Sequence, residues 1–217
     1  MSPEGRSSLH GDPSANPHAM MDPRVRFLSA MTYAAYEEAL QHYEATPLPE
    51  GASEVDRSRK SSAAINLQRS TRITRTYVPG DGITRALRAL PGGYLWGVLS
   101  EVWCGDSAQI VPYLARIAAL REDITFRVML RDMNPDVMDR YLTGGKRCIP
   151  KLIAWDASGK ERFTWGPRPA EGQAIMDNGL AAGLSKAERL EKLHLWYGRD
   201  RGKAIEAELA AVFRSMS

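Results

Sequence analysis

Two cysteines, Cys104 and Cys148, are the residues of this 217-residue chain whose type and setting could do chemistry. Cys104 falls where an apolar run ending near Ser100 gives way to a helical pattern through Ile110, so its sulfur is expected at a helix N-terminus. Unpaired backbone N–H groups and the positive end of the helix dipole stabilise a thiolate there, and the thiolate is the nucleophilic form. That setting points to a reactive thiol rather than an inert buried one. Two cysteines are too few for a disulfide framework in a chain this long, which leaves free thiols, one bridge, or chemistry. His10, His18, His42 and His194 show no metal-ligand spacing with either cysteine or with one another, and no glycine-rich phosphate loop stands between a strand and a helix. Neither a metal nor a cofactor is expected.

The elements that must position Cys104 follow from periodicity. Residues 1–22 carry little to bury and read as a disordered leader, with Met20, Met21 and Met31 as alternative starts. From Thr32, the residues Tyr33, Tyr36, Leu40 and Tyr43 form an amphipathic helix whose aromatic stripe should pack on the main domain. Between Arg57 and Arg88 eight basic residues face the single acid Asp81. They read as a solvated basic face, since an anion or nucleic-acid groove would want interleaved aromatics and only Tyr77 is present. Asp81 is expected to cap a short helix carrying Ile83, Ala86, Leu87 and Leu90. After Gly92-Gly93 come a strand at Tyr94–Leu99, a helix at Ile110–Leu120, a strand at Ile124–Leu130 and a helix from Pro135 to Leu142. A strand from Ile149 to Trp155 then turns through Asp156-Ala157-Ser158-Gly159 into a partner from Glu161 to Trp165. Past Pro169 a helix covers Glu171 to about Leu180. Ser185 and Glu188 have capping-box spacing before another helix, which Gly198 should stop, and a last helix carries Ile205, Leu209, Val212 and Phe213. The expected organisation is the leader at 1–22, a helical extension at 23–91, an α/β domain at 92–183 and packed helices at 184–217.

The run Trp103-Cys104-Gly105-Asp106-Ser107, with Pro112 eight residues after the cysteine, resembles the active-site segment of thioredoxins, in which a Trp-Cys pair opens a helix containing a proline. Ile149-Pro150, 46 residues after Cys104, is similar to the cis-proline that thioredoxin folds place beside the nucleophile. Further segments, among them Leu130-Arg131-Asp132, Trp165-Gly166-Pro167-Arg168-Pro169 and Leu193-His194-Leu195-Trp196-Tyr197, resemble a bacterial thioredoxin subfamily with one motif cysteine. The resemblance implies a thioredoxin fold, a central mixed sheet flanked by helices, with extra helices at both ends. It also implies Cys104 as nucleophile, Ser107 as hydrogen-bond donor to it, and a docking surface of Trp103, Gly105, Asp106, Ile149 and Pro150.

Departures from the family pattern shape the expected activity. Ser107 stands where dithiol thioredoxins have the resolving cysteine, and Val98 stands where they bury a proton-accepting carboxylate. A mixed disulfide on Cys104 therefore lacks the usual intramolecular release, unless Cys148, two residues before Pro150, replaces the lost thiol. Alternation along an extended segment argues against that pairing, because Cys148 should face away if Ile149 faces Cys104. Asp106 opposes a nearby thiolate and Ser107 favours it. Arg168, between two prolines, is a candidate contact for an anion such as a glutathione carboxylate.

Composition sets the remaining bounds. The formal charge is +3, from 29 basic and 26 acidic residues, which makes no global case for nucleic acid or an anionic membrane. The uncharged stretch Ala89–Ser100 has 12 residues, short of the roughly 20 a membrane-spanning helix needs. The expectation is a cytoplasmic thiol–disulfide exchange protein acting on protein thiols or glutathione. The alternative is a redox-inactive binding module on the same fold.

Overall fold

The computed structural model describes residues 22–216. The expected leader, apart from Asp22, lies outside that range, as do His10, His18, Met20 and Met21. Helices α1 (Pro23–Leu28), α2 (Tyr33–Ala45), α3 (Glu54–Ser61), α4 (Ala63–Thr76) and α5 (Asp81–Arg88) precede strand β1 (Tyr94–Ser100). Then come α6 (Gly105–Ala118), β2 (Ile124–Leu130), α7 (Pro135–Met138), β3 (Lys151–Asp156) and β4 (Glu161–Trp165). The chain closes with α8 (Ala170–Ala181), α9 (Lys186–Asp200) and α10 (Lys203–Arg214).

The sheet order is β2-β1-β3-β4, with β1 parallel to β2 and antiparallel to β3, and β3 antiparallel to β4. Every residue of β1 is buried, as a central strand covered on both faces must be. Its side chains alternate. Tyr94, Trp96 and Val98 enter a large cluster with Ile110, Leu114 and Ile117 of α6, Tyr36 of α2 and Phe213 of α10. Leu95 and Leu99 enter a smaller one with Phe27 of α1, Val137 and Met138 of α7, and Ile153. Gly97 belongs to that second face because a Cβ there would stand 2.6 Å from the Phe27 ring. Each large side chain so buried contributes about 1.5–3 kcal/mol over exposure.

Caps fix where several helices begin. Thr32 and Ser53 accept backbone N–H groups of α2 and α3, and Ser185 with Glu188 closes a complete capping box on α9. Several boundaries differ from the sequence expectation, four of them for identifiable reasons. Asp81 is the first residue of α5, not its cap; Gly80 holds that place, and its N–H donates to Glu206 Oε1 at 3.0 Å. The helix expected to reach Leu142 ends at Met138, since Arg140 and Tyr141 bond back three residues and Gly144 and Gly145 take positive φ. β3 starts at Lys151, because Pro150 has no N–H for the ladder. Helix α9 runs through Gly198 and stops at Arg201 (φ 54°) and Gly202 (φ 85°), where the Tyr113 ring leaves no room for a Cβ.

Candidate functional site

Cys104 is the N-cap of α6, the position the change of period after Ser100 implies. Its N–H donates to the Glu101 carbonyl at 3.2 Å, and its own carbonyl accepts from Ala108 at 3.0 Å. The residue is only 9% exposed, packed in the smaller cluster with Leu99 and Ile149. Its thiol donates to the Ile149 carbonyl, Sγ to O 3.8 Å, and the Ile149–Pro150 bond that follows is cis. Gly166 and Pro167, also joined by a cis bond, lie against Pro150; a Cβ at Gly166 would collide with the Pro150 carbonyl.

The electrostatics of the thiol resolve a balance the sequence leaves open. Burial pushes the Cys104 pKa up to about 11; the Asp106 carboxylate adds to the rise, and the Ser107 hydroxyl with the Ser107 and Asp106 N–H groups opposes it. The helix end therefore acts as expected but is outweighed by desolvation. The Ile149 carbonyl works in the same direction as burial, because an acceptor facing the sulfur suits S–H and not S⁻. Ser107 is fully buried, and its Oγ, bonded to no other group among the described residues, is left to face the sulfur.

Asp106 is held from two sides. Arg168 Nη2 reaches Oδ2 at 2.6 Å and the Tyr197 hydroxyl donates to Oδ1 at 2.8 Å. Arg168, expected to meet a ligand anion, is thus paired with an internal carboxylate and also donates to Gln173 Oε1 at 3.0 Å. Burial in contact with Asp106 raises the Tyr197 pKa well above its ordinary value.

Around the thiol lies a cleft of about 770 Å³. Both cysteines line it, together with Trp103, Gly105 and Ile149. One wall is α3 and α4: the Arg59 guanidinium stands 4.0 Å from the centre of the Trp103 ring, and Asn66 Nδ2 donates to the Trp103 carbonyl at 3.3 Å. Arg131, after β2, approaches the same ring at 5.0 Å. The other wall is α9, whose His194 ring would lie 3.1 Å from a Cβ at Gly105. A larger residue beside the cysteine would have to displace it. Burial, and the charge of Arg69, push the His194 pKa down to about 4, so its imidazole is neutral at pH 7. Cys148 is half-buried and a free thiol, as Cys104 is, with Sγ 4.0 Å from the Thr143 carbonyl it donates to.

Sequence reasoning missed Asn66, Arg59, Arg69, Arg131 and Tyr197 as parts of this site. The excess of basic residues between Arg57 and Arg88 was the available signal. It divides: Arg57, Arg72, Arg75, Arg85 and Arg88 are exposed, whereas Arg59 and Arg69 are half-buried and turn into the cleft.

Residues 52–183, more than half of the chain, match a family model described as thioredoxin. No curated protein matches. Among solved structures, a protein of unknown function from Pseudomonas aeruginosa is similar, with 16% identity and a TM-score of 0.59 over 91% of this chain and all of that one. An HIV epitope scaffold is similar to the same extent, with 16% identity and a TM-score of 0.60. At that identity the likeness is one of fold.

Proposed function

Because the chain belongs to the thioredoxin family, we propose that it exchanges thiols with disulfides through a single motif cysteine, Cys104, whose proton is held at rest. The observation that carries this reading is the juxtaposition of Cys104, at the start of α6, with the Ile149 carbonyl before cis-Pro150, inside an open cleft. Cys104 first loses its proton to solvent. The thiolate attacks one sulfur of a disulfide, a new S–S bond forms as the old one breaks, and the leaving thiolate takes up a proton. The backbone N–H groups of Asp106 and Ser107 and the Ser107 hydroxyl support the charge while it exists. An extended substrate segment would dock against Ile149 and Trp103. A second thiol, external or Cys148, then attacks the mixed disulfide and returns Cys104 to its reduced form. Partners on this reading are protein disulfides or glutathione disulfide.

A second reading, a redox-inactive binding module, draws support from the thiol's burial and its pKa near 11. Incubation of the reduced protein with hydroxyethyl disulfide, followed by peptide mass spectrometry, separates the two. Adduct on Cys104 that grows as the pH rises supports exchange; a folded protein carrying adduct on Cys148 alone supports the module.

A further inference from the structure

The cleft is far more basic than the chain. Arg59, Arg69, Arg131, Arg147, Arg168 and Lys186 line it against two acids, Glu54 and Asp106, a surplus of four in a molecule whose whole formal charge is +3. Four of these cations have carboxylate partners. Arg168 is tied to Asp106, Arg147 to Asp139, and Arg59 and Arg131 share Asp132. Arg69 and Lys186 have no ion pair among the described residues. Arg69 is the more telling, since its guanidinium is half-buried and its polar neighbours are Asn66 Oδ1 at 3.3 Å and the ring of His194 at 3.4 Å, the latter neutral. A desolvated cation beside groups that cannot neutralise it is a standing demand for an anion. The thiol it accompanies lies on the floor of the cleft, between α3 and α4 on one side and α9 on the other, where a small molecule reaches more readily than the face of a folded protein.

We propose that the cleft selects anionic disulfides of low molecular weight, their charged ends held by Arg69 and Lys186 while a sulfur meets Cys104. The assignment rests on the exchange reading above and narrows its substrate class. Covalently the step is unchanged: Cys104 gives up a proton, its sulfur bonds to one half of the disulfide, and the other half leaves as an anionic thiol.

Three disulfides of similar size but different charge test it on the reduced full-length protein: dithiodipropionate (dianion), hydroxyethyl disulfide (neutral) and cystamine (dication). Adduct formation at Cys104 is followed by peptide mass spectrometry in low and high salt. The dianion should react about tenfold faster than the neutral compound and the dication slowest, with the order collapsing in high salt. R69Q and K186Q should each cut the dianion-to-neutral ratio severalfold, whereas R75Q, on an exposed part of α4, should leave it unchanged. Equal rates, or preference for cystamine, overturn the proposal. Protection of Cys104 by polyglutamate but not by the dianion also overturns it, in favour of an acidic protein partner. If no disulfide reacts at Cys104, the exchange reading fails, and the selectivity of the cleft is still read at Cys148 from the ratio of iodoacetate to iodoacetamide labelling. A ratio above that of the urea-unfolded chain, and lowered by R69Q, keeps anion selection; a ratio no higher than the unfolded value ends it.

Discussion

The two ends of α6 both gather arginine, and they use it differently. Past the C-terminal end, Arg121 donates to the carbonyls of Leu87, Leu90 and Gly92 and pairs with Asp123 through two further bonds of 2.9 and 2.6 Å. One side chain thereby closes the end of α5, the turn into β1 and the start of β2, whose neighbour Asp123 accepts the Tyr94 N–H at 3.0 Å. Arg121 in turn holds the Asp123 carboxyl below its ordinary pKa. All three nitrogens of the Arg121 guanidinium have partners. At the N-terminal end, Arg69 and Lys186 have no carboxylate, and a buried thiol faces a carbonyl that suits it only while protonated. The first arrangement serves stability; the second, on the reading proposed above, serves selection of an anionic disulfide.

That contrast can be broken by substitution. The largest effect belongs to Cys104→Ala, which should abolish adduct formation at this site with every disulfide while circular dichroism stays native. Next comes Arg121→Ala, which leaves several carbonyls short of donors and should lower stability by about 2–4 kcal/mol in urea titration, without changing the pH profile of Cys104. Asp106→Asn removes the carboxylate that opposes the thiolate and should speed Cys104 alkylation severalfold at neutral pH, read by the same mass assay. The smallest expected change is in the stability of Arg69→Gln, within about 0.5 kcal/mol of the parent, because that arginine has no ion pair to lose. A large destabilisation by Arg69→Gln would erase the distinction between the two ends.

The raised thiol pKa also has a sign for stability. Folding favours the neutral thiol, so this contribution is whole below the ordinary value of 9.0 and is lost as the pH rises through about 11. Cys104→Ala should flatten that part of the stability profile, as measured by thermal melts in alkaline buffers.

Much of this was legible in the residues. The apolar run Tyr94–Leu99, the alternation in β2 and the turn before β4 placed the sheet, and Ser185 with Glu188 announced α9. The position of Cys104 at a helix start followed from the change of period after Ser100. What escaped were distances between segments remote in sequence. Nothing local tells Arg69 from Arg72, one half-buried against His194 and the other exposed. Arg168 reads as a free cation until α6 and α9 bring Asp106 and Tyr197 together at one point. The thiol's pKa escaped for the same reason, since helix-end stabilisation is encoded beside Cys104 whereas the burial that outweighs it comes from the whole surrounding fold.

The most direct test of a reactive thiol held protonated is the rate of iodoacetamide labelling at Cys104 in the folded protein as a function of pH. The rate should climb about tenfold per pH unit between about pH 7 and about pH 10, since the thiolate fraction rises that steeply well below the pKa, and level only as the pH nears 11. A rate already half-maximal at or below about pH 9, the ordinary value for a thiol, would contradict the protonated resting thiol, and a Cys104 that never labels while Cys148 does would contradict exchange itself.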